Sequence, residues 1–187
     1  MRSRSLISLA LAALLCARAA QAAEFDRVDL PGAPGGGIRL SGVIKVGDEA
    51  KFHAVAADML TAVVVTTGPG GSVSAAMAIG REIRARGWTT LVPPGTYCAS
   101  ACSMIWLAGA RRQLAETGQI GFHAMSHMQN GVPVESHEPD PILRSWLNDL
   151  GYSEDTTATI VNTPAKLVRW LDRLELQANG IPTESYP

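Results

Sequence analysis

The sequence predicts an α/β fold, because segments with strand character alternate with segments of helical periodicity along most of the chain. The β-branched run Ala62–Thr67 shows no polar alternation, which is typical of a buried parallel strand. After the glycine turn Gly68–Gly71, apolar residues recur with helical spacing from Val73 to Arg86. The cycle then repeats, with a strand at Trp88–Val92 and an apolar helix at Ser100–Ala110. Right-handed crossovers bring the carboxyl ends of such strands to one side of the sheet, where a site is expected.

The remaining segments extend this alternation and end in a helical part. Residues 125–141 are polar and contain several prolines, so we expect a surface loop there. Ser153 and Asp172 are suited to cap the helices that follow them. The other predicted elements are strands at Ile38–Ile44, Arg111–Ala115, Ile120–His123 and Leu167–Leu171, and helices at Lys51–Met59, Ile142–Leu150, Ser153–Val161 and Asp172–Ala178.

The length of 187 residues suits one domain, and a hydrophobic content of 47% can fill its core. The start of the chain has the pattern of a signal peptide, since Arg2 and Arg4 precede the apolar run Leu6–Ala17, and Ala20–Ala22 fits the cleavage site. That run is about half of the roughly 20 residues that a membrane-spanning helix needs. We therefore predict a signal peptide at residues 1–22, a flexible lead-in at 23–37 and one domain at 38–187.

The charge of the mature chain gives no reason to expect nucleic acid or an anionic membrane surface as a partner. Signal cleavage would remove three arginines and no acidic residue, which leaves 13 basic and 17 acidic residues. The predicted location is the periplasm or the outside of a bacterial cell, with no stable membrane anchor after cleavage.

Two cysteines, Cys98 and Cys102, remain in the mature chain, on either side of Ser100. In an oxidising compartment they could form a disulfide that braces the turn presenting the serine. The alternative is that both are small buried residues packed beneath the helix. Two thiols without a nearby Cys/His pair do not complete a tetrahedral site, so we expect no metal and no other cofactor.

Three segments carry groups suited to attack on a carbonyl carbon. Thr67–Val73 contains a glycine turn, Ser100 lies at a predicted strand-to-helix junction, and His123 follows a later strand. A serine at a helix start has free backbone amides and a positive dipole end beside it. A glycine turn lets backbone N–H groups approach a developing oxyanion closely. This combination favours hydrolysis by a serine nucleophile with a histidine base.

The order of these segments and their amino-acid sequences resemble those of the Clp protease proteolytic subunit within the ClpP/crotonase superfamily. Thr67–Ile79 is similar to the family's Ser-Pro-Gly-Gly turn and following helix, and Ala99–Ala110 is similar to its nucleophile helix. Gly121–His123 falls where the family has its catalytic histidine. The similarity runs from about Val43 to Gly180, and it looks closest to a periplasmic branch of that superfamily. The implied fold consists of repeated ββα units with stacked, mostly parallel sheets and a C-terminal helical part.

The resemblance implies a role for four residues. Ser100 would be the nucleophile and His123 its general base, and the backbone N–H groups of Gly71 and Ala101 would form the oxyanion hole. The chain departs from the family at the third triad member, because Val168 stands where an acidic residue is expected. Asp172 and Asp155 are the alternative acids, although helix capping is the simpler role for both.

Three classes of function follow from this resemblance. The first is an exported, ATP-independent serine peptidase that cleaves peptides or unfolded chains and forms a homo-oligomer. The second is a catalytically inactive ClpP-like binding or scaffold protein, which the missing acid favours. The third is a crotonase-type acyl-thioester enzyme, which export disfavours because acyl-CoA is a cytoplasmic metabolite. We expect the peptidase, because both Ser100 and His123 fall at matching positions.

Overall fold

A computed structural model describes residues 21–130, 132–135 and 141–186 of the chain. Residues 1–20 of the predicted signal peptide lie outside this range. The strands are β1 (Glu24–Val28), β2 (Gly37–Ser41), β3 (Val43–Ile44), β4 (Val63–Thr66), β5 (Gly70–Gly71), β6 (Thr89–Val92), β7 (Tyr97–Ala99), β8 (Arg111–Ala115), β9 (Gln119–Phe122), β10 (Ser126–Gln129), β11 (Val132–Glu135), β12 (Arg169–Leu171) and β13 (Glu184–Tyr186). The helices are α1 (Asp48–Ala56), α2 (Val73–Ala85), α3 (Ala101–Leu107), α4 (Pro141–Asp149), α5 (Glu154–Val161) and α6 (Arg173–Ala178).

The larger sheet has six strands in the order β1-β2-β4-β6-β8-β13. Strands β2, β4, β6, β8 and β13 run parallel, and β1 pairs antiparallel with β2. Val64 and Leu91 are both almost inaccessible to solvent, which explains why their strands lack polar alternation. The α/β architecture predicted from the sequence is therefore confirmed.

A second, smaller layer stands at the carboxyl ends of these strands. It contains the three-stranded sheet β12-β9-β7 and the two-stranded pair β3-β5, which an isolated parallel bridge between Gly68 and Cys98 connects. Strands β7 and β9 run parallel, with Ala99 opposite Gly121, and β12 runs antiparallel to β9. The glycine turn, the Ser100 turn and the strand that precedes His123 all belong to this layer.

Helices α2 and α3 pack against each other in the core. Every residue of α3 is buried, whereas α2 buries one face, on which Ile79, Gly80 and Ile83 lie. Trp146 of α4 packs on that face, because a Cβ atom added at Gly80 would lie 2.9 Å from its ring. Burying such apolar side chains stabilises the fold by about 1.5–3 kcal/mol each. The core thus holds α3, and with it the residue that precedes the helix, in a fixed position.

Several short segments differ from the sequence prediction. Residues 24–28, expected within a flexible lead-in, form strand β1, because Phe25 packs on the core and the backbone pairs with β2. Residues 126–135, expected in a loop, contain the antiparallel hairpin β10-β11 around Asn130, which adopts a positive φ of 52°. Strand β13 was also not predicted, and Glu184 is held there by hydrogen bonds from Arg111 on β8. Short strands of this kind depend on a partner that the local sequence does not reveal.

We expect Tyr152 to titrate late, because burial raises the pKa of its phenol to about 12 despite the opposing charges of Arg112 and Arg84. Its hydroxyl donates a hydrogen bond of 2.8 Å to the carbonyl oxygen of Leu107. Since the pKa of Tyr152 is raised in the folded state, folding favours the neutral phenol. The stability that the neutral phenol contributes is complete below pH ~10 and is lost as the pH rises toward about 12. Ultraviolet titration of the wild type against Tyr152→Phe measures this directly, and a tyrosine difference signal centred near pH ~10 would contradict it. The variant should also lose about 1 kcal/mol of stability at neutral pH.

Candidate active site

Ser100 occupies a sharp turn between β7 and α3. Its backbone has φ 57° and ψ −127°, a conformation that non-glycine residues rarely adopt, and its side chain does not cap the helix. Positions of this kind cost about 1–3 kcal/mol and persist where the surroundings fix them. Here the N–H of Ser100 donates to the carbonyl oxygen of Gly121 at 2.9 Å. The hydroxyl of Ser100 makes no hydrogen bond to any residue that the structure describes.

Ser103 fixes the first turn of α3 to both neighbouring strands. Its side chain is fully buried, and its hydroxyl lies 2.8 Å from the carbonyl oxygens of Cys98 and Gly121, between which it shares its proton. Breaking a buried hydrogen bond of this kind typically costs 1–3 kcal/mol. Ser103 could not be singled out from the sequence, where its only signal is a serine placed three residues after Ser100 in an otherwise apolar helix.

The glycine turn packs directly against Ser100. Gly70 has φ 98°, and a Cβ atom added there would lie 2.7 Å from Ala101 N and from the Ser100 side chain. Gly71 has φ 136°, and its Cβ atom would overlap the carbonyl oxygen of Ile44. Only glycine combines such dihedral angles with such close approach. The resemblance implies a role for Gly71 only, whereas the need for glycine at position 70 comes from its contact with Ser100 and Ala101.

Two backbone N–H groups near the Ser100 turn, those of Ala101 and Gly71, are the candidates for an oxyanion hole. The N–H of Ala101, at the start of α3, has no acceptor among the described residues, as expected for the first turn of a helix. Gly71 lies opposite Ile44 in the β3–β5 pair, and the bond to Ile44 O comes from Ser72 N at 2.8 Å. In a parallel pair, the residues on either side of Gly71 make the hydrogen bonds to Ile44. The N–H of Gly71 itself therefore points away from β3.

His123 follows the strand that pairs with β7, one residue beyond the position level with Ser100. β7 and β9 are adjacent parallel strands about 4.8 Å apart, and each of the two residues directly follows its strand. The half-buried ring of His123 has its Nδ1 atom 2.7 Å from the carbonyl oxygen of Ala124. The N–H of Ala124 in turn donates to the carbonyl oxygen of Thr163 at 2.5 Å. Among the described residues, no hydrogen bond joins the Ser100 hydroxyl to this ring.

Cys98 and Cys102 are joined by a disulfide in the structure, with the sulfur atoms 2.04 Å apart and the Cα atoms 5.3 Å apart. Both residues are fully buried. The bridge closes a loop whose central residue is Ser100, and it links the last part of β7 to the first turn of α3. The turn that presents Ser100 is therefore tied from below by a covalent bond and by Ser103.

Removing this disulfide should lower the free energy of unfolding by about 2 kcal/mol, the loop-closure term for a five-residue loop. The double variant Cys98→Ala/Cys102→Ala keeps the site apolar and tests this by denaturant unfolding. Wild-type protein unfolded in the presence of a dithiol reductant provides the matched control and should show the same loss. Equal stability of the oxidised protein and the double variant would contradict the prediction.

We expect Gly71→Ala to lower kcat of any hydrolytic activity by about 10²–10³-fold, because it displaces the turn that carries one of the two free N–H groups. Gly87→Ala is a matched control, since Gly87 also has a positive φ, of 66°, but an added Cβ atom would meet nothing within 4 Å. The control should lose only about 1 kcal/mol of stability and no activity. Equal rates for the two variants would show that the Gly71 turn takes no part in the reaction.

The residue opposite His123 is not acidic. β12 pairs with β9 so that Arg169 lies opposite Phe122, and the next pair in this register joins Val168 to His123. The side chain of Val168 lies over Gly121, where an added Cβ atom would come within 2.6 Å of its Cγ1 atom. The structure therefore places an apolar side chain at the position where the resemblance led us to look for an acid.

The two alternative acids lie elsewhere. Asp172 caps α6, accepting a hydrogen bond of 2.8 Å from the N–H of Glu175, and it stands four residues, or about 13 Å, along the strand from Val168. Asp155 lies in the first turn of α5. Thr163, which contacts Ala124, follows the other end of that helix, about 12 Å from Asp155. Neither carboxylate has a described contact with His123.

No cluster of three potential metal ligands occurs within the described ranges. Within the same ranges, no helix is both long enough and apolar enough to span a bilayer.

Comparison with solved structures assigns the fold. A serine-to-alanine mutant of the 1510-N membrane-bound stomatin-specific protease matches with a TM-score of 0.60 and 21% identity, over 79% of this chain and 76% of that chain. A lysine-to-alanine mutant of the same protease, in complex with a substrate peptide, matches with a TM-score of 0.56 and 23% identity, over 79% and 72% of the two chains. A ClpP1 mutant from Listeria monocytogenes matches with a TM-score of 0.49 and 13% identity, over 77% and 88%.

No protein-family model and no curated protein matches the sequence. The structural likeness nevertheless assigns the fold, which is ClpP-like. The resemblance inferred from Thr67–Ile79 and Ala99–Ala110 is confirmed at the level of the fold.

Proposed function

We propose that the protein is an exported serine peptidase in which Ser100 attacks a peptide carbonyl and His123 acts as the base. The observation that carries this proposal is the Ser100 turn, a rarely adopted backbone conformation that follows β7, the strand paired with the one that precedes His123. A serine that serves only to cap a helix has no need of such a conformation, and Ser100 makes no capping bond. Strain of this kind concentrates at reactive residues, which supports a nucleophile.

The reaction proceeds in two steps. In the first, Nε2 of His123 takes the proton of the Ser100 hydroxyl while Oγ bonds to the carbonyl carbon. The N–H groups of Gly71 and Ala101 donate to the resulting oxyanion, and the imidazolium then gives its proton to the leaving amine as the C–N bond breaks. In the second step, His123 deprotonates a water molecule that attacks the acyl-enzyme, which releases the acid and restores Ser100.

The proposed substrates are peptides or chains that are already unfolded. The predicted signal peptide directs the protein to a compartment without ATP, so the peptidase works without ATP-driven unfolding. The disulfide beneath the site fits an oxidising location. A homo-oligomer is part of the proposal, because the exposed residues Val168 and Trp170 form an apolar surface next to the site that a second subunit would cover.

A second candidate function is a binding domain without catalysis, and the observation that favours it is Val168 opposite His123. Without a carboxylate, the histidine lacks the group that usually orients it. Such a domain would still bind extended peptides beside the glycine turn. A crotonase-type acyl-thioester enzyme has no comparable support.

Covalent labelling distinguishes these functions. The mature protein is incubated with a fluorophosphonate, which phosphonylates activated serines with loss of fluoride, and the adduct is located by peptide mass mapping. The peptidase proposal predicts a single adduct on Ser100 and hydrolysis of an internally quenched peptide library. Absence of any adduct, with peptide binding retained, would establish the binding domain instead.

A further inference from the structure

The backbone carbonyl of Ala124 contacts the ring of His123 at the nitrogen that a triad acid would contact. Nδ1 lies 2.7 Å from that oxygen, a short distance for a hydrogen bond between nitrogen and oxygen. A carbonyl oxygen can only accept, so Nδ1 must be the protonated nitrogen of the neutral ring. The other nitrogen, Nε2, then carries the lone pair that a general base needs.

We infer that the Ala124 carbonyl replaces the missing acid as the group that positions His123, so that the site works as a Ser-His pair completed by the main chain. This inference rests on the proposed function. It explains how Val168 can stand opposite His123 without leaving the ring unoriented. The carbonyl fixes the tautomer and the ring orientation, and its partial negative charge stabilises the imidazolium, though less than a full carboxylate would.

The Ala124 peptide is itself held in place. Ala124 is buried, with 8% of its surface exposed, and its N–H donates to the carbonyl oxygen of Thr163 at 2.5 Å. Thr163 follows the end of α5, whose residues Ile160 and Val161 are anchored in the core. The loop after α5 is thus the positioning element for the base, because it sets where the accepting carbonyl stands.

No other described group competes for Nδ1. Asp172 is occupied in a capping box with Glu175, and Asp155 lies at the far end of α5. Lys166 and Arg169 are exposed cations near this end of the sheet, and they cannot accept a hydrogen bond from the ring. The carbonyl is therefore the only acceptor for Nδ1 within the part of the chain that the structure describes.

The first test reads the tautomer and needs no catalytic activity. Mature protein labelled with ¹⁵N in its histidines is studied by long-range ¹H–¹⁵N correlation at a pH where the rings are neutral, and His123 is assigned by its loss in His123→Gln. The inference predicts a proton on Nδ1, whereas an unrestrained imidazole prefers Nε2. A short histidine-containing peptide in the same buffer provides the reference for an unrestrained ring. A proton on Nε2 of His123 would overturn the inference.

The second test weakens the acceptor alone. Replacing Met125 by its α-hydroxy acid turns the Ala124 carbonyl into an ester carbonyl, a poorer acceptor, and removes an N–H that has no acceptor among the described residues. We expect kcat to fall about 3- to 10-fold with KM unchanged, as for one neutral hydrogen bond. Unchanged kcat would refute the role of the carbonyl. If Ser100 in the wild type did not react with the fluorophosphonate, the peptidase proposal would be refuted. The tautomer measurement needs no activity, so its result would be independent of that failure.

Discussion

Ser100→Ala is expected to lower kcat/KM for a quenched peptide substrate by at least about 10³-fold, because it removes the only atom that forms the acyl-enzyme. The variant should fold normally, since the hydroxyl makes no hydrogen bond that the fold uses within the described chain. Its N–H still donates to Gly121 O, and the alanine can take up the same turn at a similar conformational cost. Loss of activity without loss of stability is therefore the expected pattern.

Ser74→Ala is the matched control for this prediction. Ser74 is an exposed serine on α2 that follows the same glycine turn, and its hydroxyl lies 3.0 Å from that of Ser72. Its removal should change neither kcat nor KM. If Ser74→Ala lost the activity and Ser100→Ala kept it, the assignment of the nucleophile would be wrong.

His123→Gln is expected to lower kcat by about 10²–10⁴-fold, the usual contribution of a general base. Glutamine has a similar reach and can still donate to the Ala124 carbonyl, but it cannot take a proton from Ser100. KM should change little, because His123 serves the transition state rather than the bound substrate. The measurement is steady-state kinetics with the same quenched peptide, together with the rate constant for fluorophosphonate labelling.

His53→Gln provides the control, because His53 is an exposed histidine on α1 that contacts Glu82 and no residue of the site. It should react like the wild type. If His123→Gln labelled and hydrolysed at the wild-type rate, the base would have to be another group, and the inference about Ala124 would also fall.

Much of the fold could be predicted from the sequence, because its central elements carry strong local patterns. Helix α2 was predicted to within a residue from its apolar period, and β4 from its β-branched run. The errors concern short strands. β1 contains charged residues and pairs at a sheet edge, and β7 covers only three residues before the Ser100 turn. Their strand conformation depends on hydrogen bonds to β2 and β9, which no local pattern announces.

The candidate site was predictable where it depends on residue type and unpredictable where it depends on backbone register. Ser100 and Gly71 could be named as candidates from the segments that carry the family resemblance. The contact between His123 and the Ala124 carbonyl could not be predicted from the sequence. Every residue has a carbonyl group, and only the fold decides where that group points. The acid was sought among side chains, so the main-chain acceptor was overlooked.

The central claim is that Ser100 and His123 act as one unit, and the most direct test is the double variant Ser100→Ala/His123→Gln. Residues that share one proton transfer lose their contribution together, so the double variant should have nearly the same residual kcat/KM as Ser100→Ala alone. Losses that multiply, with the double variant slower by the product of the two single effects, would mean that the residues act independently and would contradict the account.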